Sequence, residues 1–114
     1  MENDVDDWKF VAVNDGETNI VEGTADVETC QIGHISRALR SHRKHGYEAI
    51  VLLKLEQYLR RKGCKQVQTM TPPPNIADEV DGDFYLAHGW RHRYSWWERT
   101  FFCAYEREFV KDLN

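Results

Sequence analysis

The stretch SHRKHGYEAIVLLKLEQYLRRKG, residues 41–63, sets Arg43, Lys44 and His45 directly ahead of Gly46 and a long apolar-faced helical pattern. A helix start already carries unpaired N–H groups and a partial positive charge. Cations added there are locally unfavourable unless an anion arrives. A glycine-bearing turn that opens a helix after a strand meets that need, because consecutive backbone N–H groups converge and the helix dipole favours negative charge. Arg43 and Lys44 would add charge-assisted bonds to phosphate oxygens. The residue types therefore point to a diphosphate-like ligand, with a solvated basic turn as the plain structural alternative. Neither G-x-x-x-x-G-K-[ST] nor G-x-G-x-x-G is present.

Other chemistries fit less well. Cys30-x-x-x-His34 and His42-x-x-His45 invite a zinc reading, but there is no C-x-x-C and the remaining cysteines are isolated. Arg37, Arg40, His42, Arg43, Lys44 and His45, with the tryptophan-rich segment, could hold a single nucleic-acid strand. The formal charge of −4 argues against nucleic acid as the partner. The 114 residues suffice for one domain with one core, and 41% hydrophobic content describes a globular chain rather than a disordered one. The cysteines Cys30, Cys64 and Cys103 are odd in number and far apart, so no disulfide framework is expected and a reducing compartment fits. No apolar run approaches the roughly 20 residues of a membrane span, and the start lacks a signal-peptide layout. The expectation is a cytoplasmic protein without a membrane anchor.

These residues need elements to hold them. Residues 1–7, MENDVDD, read as an acidic solvated tail, leaving 8–114 as a single domain. Trp8–Val13 and Asn19–Thr29 read as a hairpin around Asp15-Gly16. Gln31–Leu39 reads as a third strand, with Ile32, His34, Ser36 and Ala38 on one face and Gly33, Ile35, Arg37 and Leu39 on the other. A helix of about 17 residues follows, its stripe built from Ile50, Leu53 and Tyr58 with Val51, Leu52, Leu55 and Leu59. Gly63 stops it, and Cys64–Met70 alternates as a strand. Strand, helix, strand is a parallel crossover unit. Thr71–Pro74 ends that strand. An acidic loop and a short helix lead to Gly89, and two strands around a turn at Glu98-Arg99 close the chain.

The segment RKHGYEA, placed after a strand, resembles the [Q/R]-x-x-G-x-[G/A] loop of the GNAT superfamily of N-acetyltransferases. Arg43 matches its first position and Gly46 its glycine, while Glu48 stands where Gly or Ala is expected and Ala49 follows. Further on, that family carries an Asn and then a short helix ending Tyr-x-x-x-Gly-Phe. Here Asn75 is followed by FYLAHGW, with Tyr85, Gly89 and Trp90 in those places. The resemblance runs from Trp8 to Phe109. The family's leading strand and two helices have no counterpart in it, so the chain looks like an N-terminally shortened member.

The resemblance implies an α/β fold: a GNAT-type mixed sheet of about six strands, a long central helix, a short second helix, and parallel strands that splay at a cofactor cleft. It implies acetyl-CoA as cofactor and an amine as acceptor (a protein lysine, an N-terminus or a small amine). Backbone groups of Ala38, Leu39 and Arg40 would bind the pantetheine arm. The loop Arg43, Lys44, His45, Gly46, Tyr47 and Glu48 would take the diphosphate, with Glu48 turned into solvent, and Asn75 would touch the cofactor arm. Tyr85 would be the general acid, since a phenol can protonate a thiolate of comparable basicity. His34 is the candidate base because imidazole titrates near neutrality, with Glu28 as second candidate. The alternative is a non-catalytic GNAT-fold module for cofactor binding or protein interaction. Trp90, Tyr94, Trp96, Trp97, Phe101 and Phe102 read as core and hairpin packing, and an exposed share of them would favour a homodimer.

Overall fold

The computed structural model describes the backbone of residues 2–5, 8–15, 18–37, 46–71, 80–101 and 107–113. Trp8–Asp15 (β2) and Thr18–Asp26 (β3) pair antiparallel, as their alternating apolar residues predict. The register sets Lys9 beside Ala25, Val11 beside Gly23 and Val13 beside Val21. That row forms the buried face on which the helix Tyr47–Arg61 (α1) lies.

Val51, Leu52, Leu55, Tyr58 and Leu59 are the apolar residues of α1 that are buried there. Ile50 and Leu53, which sequence periodicity counts with the stripe, are 45% and 56% exposed. Gly23 lets the helix come close: a Cβ there would stand 3.1 Å from both Leu55 and Val51 and 3.2 Å from Ile35. Lys9 is buried yet keeps its ammonium 5.4 Å from the centre of the Tyr58 ring, a cation–π contact that offsets its desolvation. The helix ends in a left-handed Gly63 (φ 96°), with the Cys64 amide donating to the Leu59 carbonyl.

Among the described residues, eight strand segments form one mixed sheet. Besides β2 and β3 they are Glu2–Val5 (β1), Gln31–Ile32 (β4), Ser36–Arg37 (β5), Gln66–Met70 (β6), Arg91–His92 (β7) and Glu108–Asp112 (β8). The order is β1-β2-β3-β4-β6-β8-β7, with β5 paired to β3. Among the described strands, only β4 and β6 run parallel, as a crossover through α1 requires. Glu2–Val5, expected as a solvated tail, instead pairs with β2 from Glu2↔Val11 to Val5↔Trp8. Its acidic residues read as a tail because charge is also what protects an edge strand.

The end of the chain departs from the expected hairpin. Trp96–Phe101 is a short helix (α3), not a pair of strand ends around Glu98-Arg99. Glu98 makes one half of a capping box: the Ser95 amide donates to its carboxylate at 3.3 Å, and the Ser95 hydroxyl donates to the same oxygen at 2.6 Å. The second helix, Gly82–Ala87 (α2), is capped by Asp81, whose carboxylate accepts from the Phe84 amide. Trp90 is buried; Trp96 and Trp97 are 73% and 56% exposed.

Cys30 and Cys64, expected to be separate thiols, form a disulfide with Cα atoms 6.0 Å apart. Their separation of 34 residues hides the contact. The turn between β3 and β4 and the turn between α1 and β6 meet at the same end of the parallel strand pair. On a chain-entropy account, closing a loop of that length contributes about 3–4 kcal/mol. Among the described residues, no helix is long and apolar enough to cross a membrane.

On the sheet face away from α1, Asp112 accepts from Gln66 and pairs with Arg91, while Arg93 pairs with Glu108 and donates to Gln68. The Gln66 hydrogen bond, followed by the Arg91 charge, holds the Asp112 carboxyl below the ordinary aspartate range. Its stabilising contribution is therefore present above the unfolded-state value and lost as pH falls through the lowered one. NMR titration should give Asp112 a depressed midpoint that moves back up in Gln66→Ala. Gly23→Leu should overpack the α1 contact and lower stability by about 1–3 kcal/mol, read from urea unfolding.

Candidate functional site

The site begins with an extra residue. Ala25↔Ile32 and Asp26↔Gln31 fix one register between β3 and β4, whereas Val21↔Arg37 and Glu22↔Ser36 fix another between β3 and β5. The shift is by one residue, taken up across Gly33, His34 and Ile35 as a bulge. Gly33 suits the tight spot: its amide donates to the Thr24 carbonyl at 2.8 Å, and a Cβ there would lie 2.5 Å from the Thr24 hydroxyl. The slip changes which side chains face inward. Ile32 and Ile35 are both buried, although simple alternation puts them on opposite faces, and His34 is exposed.

The same bulge opens the sheet. β4 and β6 share a single parallel bridge, Gln31↔Gln68. Around it the Gln68 amide donates to the Cys30 carbonyl at 3.0 Å, and the buried Thr69 hydroxyl donates to the Ile32 carbonyl at 2.7 Å. Past Ile32 the described strands part. β5 stays with β3, and β6 stays with β8. The Ile35 carbonyl, which faces the gap, accepts instead from the Val80 amide at 3.1 Å, on the approach to α2. The result is a V between β5 and β6, closed at the Gln31–Gln68 end and bridged by Val80.

The candidate residues beyond the strands lie on two helices. Gly46 is the N-cap of α1, in the left-handed region (φ 71°, ψ 10°), with no side-chain cap. Among the described residues, a Cβ on Gly46 would meet nothing within 4 Å. The first amides of α1 thus lack a side-chain acceptor from the cap residue, the condition under which a helix start binds anions. Tyr47 is half-buried and packs against the core. Glu48 does not turn into solvent as expected: it is 4% exposed, within the first turn. There its charge complements the helix dipole.

Tyr85 sits on α2 and is 1% exposed. Its ring is held by Phe109 at 6.0 Å, by Trp90 edge-on at 5.1 Å and by Phe84 at 5.3 Å. Gly89, at φ 87°, turns the chain after α2 so that the Trp90 amide returns to the Tyr85 carbonyl at 3.1 Å. Trp90 reaches Glu56 of α1 through its indole N–H, and Glu56 is paired with Lys111 at 2.7 Å. This network fixes α2 relative to α1.

Of the candidate residues, the structure places His34 in the bulge, Gly46, Tyr47 and Glu48 at the start of α1, and Tyr85 on α2. Glu28 is exposed in the turn after β3, beyond the closed end of the V. Ala38, Leu39, Arg40, Arg43, Lys44, His45 and Asn75 lie outside the described residues. Thr69 and Val80 were not singled out from sequence. Thr69 alternates inward with Val67 and looks like ordinary strand patterning, and Val80 contributes only a backbone amide.

No family model matches the chain, and no curated protein matches it. Its structure is similar to the crystal structure of an acetyltransferase of the GNAT family from Staphylococcus aureus Mu50, with a TM-score of 0.66. The match covers 94% of this chain and 69% of that one at 13% sequence identity. The fold is therefore that of the GNAT acetyltransferases, as the loop and Tyr-Gly-aromatic segments imply. Thr69→Val should leave the Ile32 carbonyl without its hydroxyl donor and destabilise the chain by about 1–3 kcal/mol. Amide exchange should show the loss concentrated at β4 and β6.

Proposed function

We propose that the chain binds acetyl-CoA across the V between β5 and β6 and transfers the acetyl group to an amine. The observation that supports it most is the bulge at Gly33–Ile35 with the strand separation that follows, together with a helix start opened by a left-handed glycine. In this reading the diphosphate sits at the mouth of α1, held by its first amides together with Arg43, Lys44 and His45. The backbone groups of Ala38, Leu39 and Arg40, with Asn75, take the pantetheine arm in this reading.

Acetyl transfer needs a neutral amine, a stabilised tetrahedral intermediate and a proton for the departing thiolate. His34, exposed in the bulge, takes the proton from the amine as its nitrogen bonds to the acetyl carbon. The C–S bond then breaks and Tyr85 delivers a proton to the coenzyme sulfur. The aromatic packing around Tyr85 leaves its ring little freedom, which suits a group that must present one oxygen in one place. The acceptor class is an amine, on a protein or a small molecule.

Glu48 favours a second reading, a cofactor-binding module without turnover. It puts a buried carboxylate in the helix turn that would receive the diphosphate. Calorimetric titration with acetyl-CoA, paired with thiol release on a panel of amines, separates the two. Binding with turnover supports transfer; binding without turnover on any amine supports the module; no binding at millimolar cofactor overturns both. Gly46→Val forces a side chain into the left-handed region and should weaken acetyl-CoA binding about tenfold or more. Tyr85→Phe should lower kcat about 100-fold while the calorimetric Kd stays within twofold.

A further inference from the structure

The Cys30–Cys64 disulfide stands at the closed end of the V. Cys30 ends the turn after β3, in a left-handed conformation (φ 51°), and its own carbonyl receives the Gln68 amide. Cys64 directly follows the Gly63 turn that ends α1 and leads into β6. The covalent bridge thus ties the entries to the two strands, one residue before Gln31 on one side and four before Gln68 on the other. Beside it, β4 is held to β6 there by a few hydrogen bonds: Gln68 to Cys30, the Gln68 side chain to the Thr29 carbonyl at 3.4 Å, and Thr69 to Ile32. The loop closed by the bridge contains β4, the bulge, β5 and all of α1.

The surroundings suit thiols as well as a disulfide. Both sulfurs lie beside one acceptor, the Val27 carbonyl, at 3.5 Å from Cys30 Sγ and 3.9 Å from Cys64 Sγ. A disulfide has no hydrogen to give that oxygen, but a thiol does, so the reduced pair finds a hydrogen-bond partner already in place. Access is one-sided. Cys64 is 7% exposed, whereas Cys30 is half-buried in a turn whose neighbours Glu28 and Thr29 are exposed. Of the two residues, Cys30 is the one on the more open side.

From this we propose that Cys30 and Cys64 form a reversible redox latch that stiffens the closed end of the V and tightens ligand binding in it. Its effect on ligand rests on the acetyl-CoA reading above; its effect on the strand pair does not. In the forward step the Cys30 thiolate attacks a low-molecular-weight disulfide and releases one thiolate. The Cys64 thiolate then attacks the mixed disulfide at Cys30 Sγ and releases the second. Two protein thiols lose two protons and two electrons, and the external disulfide becomes two thiols. Reduction by excess small thiol runs the steps backward.

The test uses the wild-type chain equilibrated with oxidised or with reduced glutathione. Peptide mapping should find Cys30 joined to Cys64 in the first state and free thiols in the second. Exchange of the Gln68 amide should accelerate at least tenfold on reduction, and the acetyl-CoA Kd should rise at least threefold. Cys30→Ala should match the reduced protein and ignore the redox buffer, with Cys64→Ser as the check should Cys30→Ala fail to fold. A free Cys30–Cys64 pair in the oxidised state, a different pairing, or equal Gln68 exchange in both states overturns the latch. Equal, measurable affinity in both states overturns it as a control of binding. Redox-dependent Gln68 exchange with no acetyl-CoA binding in either state upholds the latch on the strands and removes the cofactor reading alone.

Discussion

Between Ile32 and Ser36 the chain carries one residue more than its partner strand can pair. That excess turns Ile35 inward against α1 while Ile32 also stays buried, so core packing and the bulge are the same event. It also bends the strand off β6. A parallel pair that would otherwise run on then ends after a single bridge. The Ile35 carbonyl still needs a donor, and Val80 supplies it from the far side of the gap. The position of α2, and with it Tyr85, follows from that accounting.

The rest of the molecule holds the two sides of the V at a fixed separation. On one side α1 is drawn onto β2 and β3 by the absence of a side chain at Gly23. On the other, α2 is packed on β8 so closely that a Cβ at Gly82 would lie 2.6 Å from the Phe109 ring. Between them, Glu56 ties α1 to Lys111 of β8 and to Trp90. A partly buried ion pair of this kind is a weak source of net stability, since desolvation offsets its attraction. Its value lies in geometry: Lys111 also donates to the His88 carbonyl at the end of α2. One ammonium thus holds helix end and helix face together.

Most of the framework was legible in the sequence because it is written in period and punctuation. The hairpin, the crossover helix, the Gly63 stop and the strand before Thr71 follow from alternation, helical spacing and glycine placement. The Arg43–Gly46 loop and the Tyr85-Gly89-Trp90 segment led to the fold. The bulge was not legible, since a slip of one residue leaves no trace in a strand that reads well in either register; only Gly33 marked it. α3 was missed although Ser95 and Glu98 spell a capping box, because the aromatic run beside them carries strand propensity. The disulfide was invisible for a different reason. Counting cysteines weighs their number and spacing, and this contact depends on two turns meeting across a crossover.

Glu48 shows how the same residue can serve the fold and constrain the chemistry. A helix start without a side-chain cap needs negative charge near its first amides, and Glu48 supplies it from within the first turn. A diphosphate arriving at Gly46 would find that need partly met, and would have to compete with a carboxylate that cannot leave. On the acetyl-CoA reading proposed above, the cations that precede the helix in the sequence are what an incoming diphosphate would need to offset that carboxylate.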